Sequence, residues 1–500
     1  MMKYIKNNWI YILGAVLILA LFSLRFFHLT IIPVFADEAI YIRWAQVMKA
    51  EETLRFLPLS DGKEPLFMWV AIAFLKFIRD PLVAGRIVSI LSGFGTMIGV
   101  SLLSYLLFKN KKVALAAALI YAVSPFSFFF DRMALVDSML TMFGVWTFVF
   151  AYLSFTEERL DYAMIAGFTL GGAWLTKSPA LFFAIMLPTL WLFIKSPKTL
   201  IKVIPLTLVT LIIGYGMFNV LRLGPNFELI ASRNLDYVYP LNHFLVSPLD
   251  PLKPFLIASW QWLTTMGPWS LLILALIGCV INFKKHWKEL TILLIWFLGP
   301  IIVQSEFAKV LTARYILFSV PFLVIISASV FLEKRRNLVK ILVVILAFFI
   351  GQSLIFDYQL LENPQKANLP RSERSGYLEE WTSGYGIKET SVYLRNLQNS
   401  NPRVKIVAGT EGYFGTLPDG LEIYLNDMPQ ITIVGVGLGI GKVPDPLSSA
   451  RKAGDETFLV INQSRLNADP LKIGFDIIAS YPKAYRPDGT RDSLLLLKVR

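Results

Sequence analysis

Asp37 and Glu38, in Phe35-Ala36-Asp37-Glu38-Ala39-Ile40-Tyr41, follow the first long apolar run of the chain almost at once. An ionisable group close to a bilayer is costly, so one that stays there is a candidate for chemistry. At a helix start the pair has an ordinary reading, with Asp37 as N-cap and Glu38 as a first-turn acid. The same placement orients a carboxylate as a general base, which must lie close to the hydroxyl whose proton it takes. The two readings are compatible.

Three further groups carry charge at apolar boundaries. In Asp131-Arg132-Met133-Ala134-Leu135-Val136-Asp137-Ser138, Arg132 and Asp137 are five apart and do not share one helix face. An Arg–Asp pair holding a helix end is the plain reading, and a place in an active site is the other. Lys177, in Leu175-Thr176-Lys177-Ser178-Pro179, can snorkel outward or bind an anionic headgroup or phosphate. Lys63, Arg86 and Arg314 add cations near the same boundary, and fixed positive charge is what an anionic leaving group needs. His243 sits in a proline-rich segment. Gly435-Val-Gly437-Leu-Gly439-Ile-Gly441 lacks the G-x-G-x-x-G spacing and reads as a turn or hairpin. No Walker-type loop, H-E-x-x-H or G-x-S-x-G motif occurs, and no divalent metal is indicated.

The elements that position these residues are set by composition. The chain has 500 residues, 55% hydrophobic and only 17% charged, against about a quarter charged in soluble proteins. Its mean hydropathy is +0.58. The net charge of +13 lies in short runs between apolar stretches, which marks membrane topology and argues against a nucleic-acid partner. The single cysteine, Cys279, permits neither an intrachain disulfide nor a zinc cluster.

A span needs roughly 20 apolar residues. Eleven stretches approach this: 9–27, 82–108, 113–130, 133–155, 162–176, 179–194, 200–220, 263–283, 289–304, 312–332 and 338–356. The first is too long for a signal h-region and is read as an uncleaved helix. The basic loops at Lys3/Lys6, Lys109–Lys112, Arg159, Lys195–Lys202, Lys284–Lys288 and Lys334–Lys340 all fall on one side if the N-terminus is cytoplasmic. Loops 28–81 and 221–262 and the C-terminus then lie outside, in a multi-pass protein of the plasma membrane. Within 28–81, residues 38–50 and 66–78 read as helices lying in the outer interface. The prolines of 221–262 exclude one continuous helix there.

The fold class expected is a polytopic α-helical membrane module, residues 1–357, followed by a soluble α/β domain, 358–500. That tail shows a helix at 387–399 and strands at Val404–Ala408, Gln430–Val434, Thr457–Asn462, Phe475–Tyr481 and Ser493–Val499.

These motifs resemble those of the GT-C membrane glycosyltransferases, above all the protein O-mannosyltransferase and aminoarabinose transferase groups. Phe35–Tyr41 is similar to the Asp-Glu motif of the first external loop. Arg132–Leu140 resembles the mannosyltransferase segment after the third helix, and Lys63-Glu64-Pro65-Leu66 the Lys-Pro segment of the aminoarabinose transferases, with Glu in place of the commoner Pro. Ala173–Pro179 resembles the Leu-Thr-Lys segment whose lysine approaches the lipid phosphate, and Gly85-Arg86-Ile87 and Ala313-Arg314-Tyr315 match recurrent arginine positions. The tail does not resemble the mannosyltransferases' lumenal sugar-binding insertion.

The resemblance implies an inverting transfer of a sugar from a polyprenyl-phosphate donor, drawn from the membrane, to a hydroxyl of a glycan, lipid or protein. Asp37, with Glu38, would be the base, and Lys177, Lys63, Arg86 and Arg314 would hold the donor phosphate. Arg132 and Asp137 would position the acceptor and the loop, and Tyr41 and His243 would touch the acceptor. No cofactor is required by this scheme. The alternative is a transporter or flippase of lipid-linked or sugar substrates. Its ions would be expected near the midplane and its halves in repeat, neither of which the sequence displays.

Overall fold

The computed structural model describes residues 2–500, with side chains from Ile10 onward. Lys3 and Lys6, expected at the first basic flank, have side chains outside the described residues. The chain forms two compact units. One comprises 1–27, 55–69 and 86–359, and the other 28–54, 70–85 and 360–500.

The first unit is helical. Among the described residues, six helices are long and apolar enough to cross a membrane, and a seventh span arises if a bent pair counts as one. That pair, Lys111–Val123 and Pro125–Asp131, bends by 58°. Its cause is local: Pro125 lacks an N–H and forces Ser124 to an extended ψ of 125°.

This is fewer long helices than the eleven stretches expected, for identifiable reasons. Stretches 263–283 and 289–304 form one 39-residue run, Trp269–Phe307, broken at His286, whose φ and ψ are −124° and 36°. Stretch 162–176 is a 17-residue helix, Leu160–Thr176, below the usual spanning length. Stretch 179–194 is chopped by Pro179 and Pro188 into the short pieces Ser178–Ala180, Leu181–Met186 and Leu187–Phe193.

Leu160–Thr176 packs between Val136–Glu157 and Pro197–Phe218. Glycine allows that approach: a Cβ on Gly172 would stand 2.6 Å from the Phe143 ring, and one on Gly167 2.7 Å from Ile213. Trp296 is fully buried, with Phe148 at 4.7 Å and Phe183 stacked at 6.1 Å.

One ion pair lies wholly inside this unit. Arg25 donates from Nε and NH2 to Asp131 Oδ2 at 3.0 and 2.9 Å, both side chains being fully buried. Ser138 Oγ donates to the other oxygen at 2.9 Å. Gly93 makes room for it, since a Cβ there would fall 2.2 Å from Asp131 Oδ2.

The second unit contains a five-stranded sheet of order β2-β1-β3-β5-β4. Its strands are β1 (Ile406–Thr410), β2 (Ile431–Gly435), β3 (Glu456–Asn462), β4 (Phe475–Pro482) and β5 (Ser493–Val499). β1 pairs in parallel with β2 and β3, while β5 runs antiparallel to both β3 and β4. Leu459, Ile461, Phe475, Leu495 and Leu497 fill the core on one face. Each expected strand of the tail is present, Ser493–Val499 unchanged and the others with ends shifted by no more than two residues, and the expected helix is Ile387–Ser400.

The helix Ala36–Ala50, expected over 38–50, packs on the helix Asp419–Leu425. Ile40 and Trp44 are buried, Gln46 Nε2 donates to Ile423 O at 2.9 Å, and Arg43 pairs with Glu422 at 2.7 Å. Phe35 bridges to Ser383 just ahead of it. The loop 28–81 thus divides between the two units. The second apolar helix is Leu66–Leu75 rather than 66–78.

Leaving one member of a buried ion pair uncompensated costs about 3–5 kcal/mol. Asp131→Leu is expected to destabilise the detergent-solubilised protein by that order, and Arg25→Met with Asp131→Leu to recover most of the loss. Thermal unfolding of both variants checks this, and equal midpoints for single and double variants would count against it.

Candidate active site

Four chain segments of the first unit converge on a small apolar cluster. Leu59, Leu175, Leu221 and Ile230 are its buried members, with Phe56, Leu66, Trp69, Met217 and Phe227 around them. Gly62 turns the first loop into this cluster at φ +64°, accepted without strain only by glycine. A Cβ on it would also fall 2.4 Å from Leu229 O. The next residues are Lys63 and Glu64, so the cluster sets where these charges stand.

Glu64 is buried and accepts from Ser178 Oγ at 2.6 Å, while Asn234 Nδ2 donates to the same hydroxyl at 3.3 Å. This ties the first loop, the segment after Thr176 and the helix Leu229–Tyr237 to one point. Burial pushes the Glu64 carboxyl from its ordinary 4.5 up to about 7, against the opposing pull of the Ser178 hydrogen bond and of Lys177 and Lys63. Lys63 is itself paired with Asp61 at 3.1 Å, and Asp61 lies 3.8 Å from Arg233.

Lys177 ends the helix Leu160–Thr176 at an extended C-cap, φ −166° and ψ 140°. Its Nζ donates to Asp137 Oδ1 at 2.6 Å and stands 4.1 Å from the centre of the Tyr315 ring. Arg314 approaches the same ring at 5.3 Å. Asp137 is in the first turn of Val136–Glu157, where the helix N-terminus favours a carboxylate. Its side chain is 3% exposed and that of Lys177 21%. Asp137 Oδ2 has no hydrogen-bond partner among the described residues. The arrangement is an ammonium held by one carboxylate oxygen, partly open to solvent and backed by an aromatic face. It can receive an anionic oxygen.

Arg132 and Asp137 do not form the expected pair. Asp137 takes Lys177, and Arg132 NH1 donates to the carbonyls of Leu24, Arg25 and Phe27 at 2.9, 3.1 and 2.7 Å. These are C-terminal carbonyls that the helix Met2–Phe26 cannot satisfy itself, so Arg132 caps a helix end. Arg86 is 1% exposed and, with Arg25 and Asp357, lies within electrostatic reach of Arg132.

His243 is held locally in the 219–265 region, which is broken into Asn219–Leu223, Leu229–Tyr237, His243–Val246 and Leu252–Thr265, as its prolines require. Its ring stacks on Tyr239 at 4.1 Å and its Nε2 meets Asp250 O at 2.6 Å. The residues Tyr237–Lys309 close this region by backbone hydrogen bonds, Tyr239 N to Phe307 O at 2.7 Å and Lys309 N to Tyr237 O at 2.8 Å.

Asp37, Glu38 and Tyr41 belong to the second unit. The N-cap of Ala36–Ala50 is Phe35, not Asp37. Glu38 is buried, and its Oε2 accepts from Phe35 N at 3.0 Å, the backward half of a capping box. Asp37, one residue earlier, is partly exposed at the positive end of the helix. Tyr41 is buried with its ring 6.0 Å from that of Trp44. Among the described residues no group of three or more His, Cys, Asp or Glu side chains could hold a metal ion. The Glu64–Ser178–Asn234 link and Arg25 were not among the candidates read from sequence. Only the unusual Glu between Lys63 and Pro65 signalled the first.

A family model described as dolichyl-phosphate-mannose-protein mannosyltransferase matches residues 62–218. No curated protein matches the chain in sequence. Among solved structures, ArnT from Cupriavidus metallidurans in the apo state is similar with a TM-score of 0.61 at 14% identity, over 98% of each chain. The same protein bound to undecaprenyl phosphate gives 0.58 at 15% identity, again over 98% of each. The oligosaccharyltransferase AglB from Archaeoglobus fulgidus, in complex with an inhibitory peptide and a dolichol-phosphate, gives 0.50 at 12% identity, over 98% of this chain and 74% of that one. At these identities the likeness establishes the fold. The resemblance to the ArnT-like and mannosyltransferase-like GT-C proteins is matched in fold along the whole chain and in sequence over 62–218. With its apolar helices, this fold makes the chain a multi-pass membrane protein.

The raised Glu64 value predicts a stability slope. A group whose folded value lies above its ordinary one contributes fully below about 4.5, and that contribution fades as pH rises through about 7. The midpoint of unfolding is expected to fall between pH 5 and pH 8 in the wild type and to fall less in Glu64→Gln. Parallel slopes would remove Glu64 from the explanation.

Proposed function

We propose that this chain transfers a sugar from a polyprenyl-phosphate donor to a hydroxyl acceptor at the outer face of a membrane. The observation that carries the proposal is the partly exposed Lys177 ammonium, paired with buried Asp137 and set over Tyr315. A departing lipid phosphate needs fixed positive charge aimed at it, in a site drier than bulk water. Support comes also from the ArnT fold, seen elsewhere with undecaprenyl phosphate bound. The segment matched by the mannosyltransferase model contains Lys63, Arg86, Arg132, Asp137 and Lys177.

In this reading Lys177 holds the donor phosphate, with Arg314 adding charge across the shared tyrosine and Lys63 behind Glu64. Asp137 fixes the ammonium and offers its second oxygen to the donor. The cap made by Arg132 gives it an indirect role, through the end of the first helix. Asp37 is the proposed base, on the strength of its motif and its place in the first turn of its helix. The acceptor oxygen loses its proton to that carboxylate as it bonds to the anomeric carbon, and the bond from that carbon to the phosphate oxygen breaks. One displacement inverts the sugar. His243 and Tyr41 keep only a secondary place, near the acceptor. The acceptor class is a glycan, lipid or protein hydroxyl.

The proposed topology keeps eleven crossings, with the N-terminus cytoplasmic and the tail extracytoplasmic. At about 1.5 Å per residue, the run Trp269–Phe307 would be nearly twice the ~30 Å hydrocarbon thickness. Its break at His286, among Lys284, Lys285 and Lys288, supports two crossings with a basic turn. The side is that expected for a lipid-carried donor, since nucleotide sugars are cytoplasmic.

Transfer from a labelled polyprenyl-phosphate sugar by the purified protein in detergent tests the proposal. Lys177→Ala is expected to lower kcat/KM by about 10²–10³. Asp37→Asn, folded and inserted, is expected to abolish transfer. Unchanged kinetics for Lys177→Ala would overturn the phosphate assignment, and normal transfer by Asp37→Asn the base.

A further inference from the structure

The carboxyl edge of the tail's sheet has features that the proposed transfer leaves unused. The parallel strands run β2-β1-β3, so the connection after β1 goes to one side and the next crosses to the other. In open α/β sheets, ligands bind outside the carboxyl ends of the strands at such a switch point. Three loops rise there, and they are joined: Gly412 bridges Gly437, Ile440 bridges Leu466, and Asn467 Nδ2 donates to Gly439 O at 3.0 Å. Gly412, Gly415, Gly437 and Gly439 all have positive φ. The glycine-rich segment that fails as a phosphate loop therefore has a different use, as tight turns that bring backbone groups to the surface.

Large side chains cover this edge and face outward. Tyr413 is 75% exposed, Leu438 62%, Phe414 47% and Trp381 41%. They adjoin one another through the turns. A Cβ on Gly415 would lie 3.8 Å from the Trp381 ring, and one on Gly412 4.0 Å from Leu438. Arg465 stands 5.5 Å over the Trp381 ring. Exposed apolar side chains gathered at one edge make it a candidate binding surface, with Phe414 anchored on Trp44 at 5.8 Å.

The patch is fixed from below. Glu411, just after β1, is buried and accepts from Asn462 N at 2.8 Å and Nδ2 at 2.7 Å. Asp419 Oδ2 accepts from Gly415 N at 2.7 Å, which holds the turn carrying Phe414. At the same edge, Thr410 Oγ1 and Asn462 Oδ1 are buried with no hydrogen-bond partner among the described residues. Such atoms are rare in a finished core and mark polar capacity that is not yet used.

We propose that this edge binds a saccharide, with Trp381 and Tyr413 as platforms for the sugar ring and Arg465 and the glycine-turn backbone meeting its hydroxyls. A sugar has a C–H face and a hydroxyl rim. Aromatic rings match the first, and a guanidinium with exposed peptide groups matches the second. Identifying that saccharide as the acceptor rests on the transferase reading; the binding itself does not.

The test uses the full chain in detergent, without donor, and saturation-transfer NMR with a panel of neutral, N-acetylated and uronic acid oligosaccharides. At least one class is expected to bind the wild type. Trp381→Ala and Tyr413→Ala are each expected to weaken it about tenfold, Trp381→Phe to restore it and Lys177→Ala to leave it unchanged. In the transfer assay Trp381→Ala should raise the acceptor KM with kcat held. No saturation transfer to any oligosaccharide, or equal binding by Trp381→Ala, overturns the site. Sugar binding by a chain that transfers nothing overturns the transferase reading and leaves the site standing.

Discussion

A charge that leaves water must find a partner, and in the first unit the partners decide where the helices end. Arg25 and Asp131 neutralise each other with no exposure at all. Arg132 gathers three carbonyls from the end of the first helix, which would otherwise lack donors. Lys177 and Asp137 join the end of one helix to the start of another. Each contact satisfies a backbone or side-chain charge that lipid could not satisfy. The same constraint leaves one ammonium partly open, and that exception is where the chemistry is proposed.

Glu64 shows how a structural link and a tuned site can coincide. Its hydrogen bond to Ser178 ties the first loop to the residue beside Lys177. Its burial raises its affinity for a proton, so near neutral pH it adds less negative charge beside the lysine than an exposed glutamate would. The acid that departs from the commoner Lys-Pro-Pro pattern is thus compatible with a cationic site. Gly62 and the apolar cluster around Leu59 and Ile230 supply the rigidity that fixes this geometry.

The loop 28–81 is less a connection than a shared part. Residues 55–69 complete the core beside Lys177, while 28–54 and 70–85 group with the tail. Arg43, Gln46 and Phe35 bind the tail by specific polar contacts, not by apolar area alone. The tail accordingly has two kinds of surface in its own unit. One holds the helix that carries Asp37, and the other presents aromatic rings at the carboxyl edge of the sheet.

Much of this was legible locally. The apolar stretches, the broken 221–262 region and the tail's strands follow from hydropathy, proline chemistry and alternation, which act within a few residues, whereas the bend at Ser124-Pro125 inside the stretch read as 113–130 emerged only in the structure. Lys177 and Asp137 are conspicuous in the sequence as ions at apolar boundaries, but their pairing is seen only in the structure. What tertiary structure alone decided is who partners whom. Arg132 and Asp137, near neighbours in the chain, diverge to targets 108 and 40 residues away, respectively, since a guanidinium seeks whichever unsatisfied acceptors the packing brings near. The helix Ala36–Ala50 shows the same limit: its apolar face records that something dry must cover it, but lipid and protein satisfy that demand alike, and only the fold placed the Asp419–Leu425 helix there.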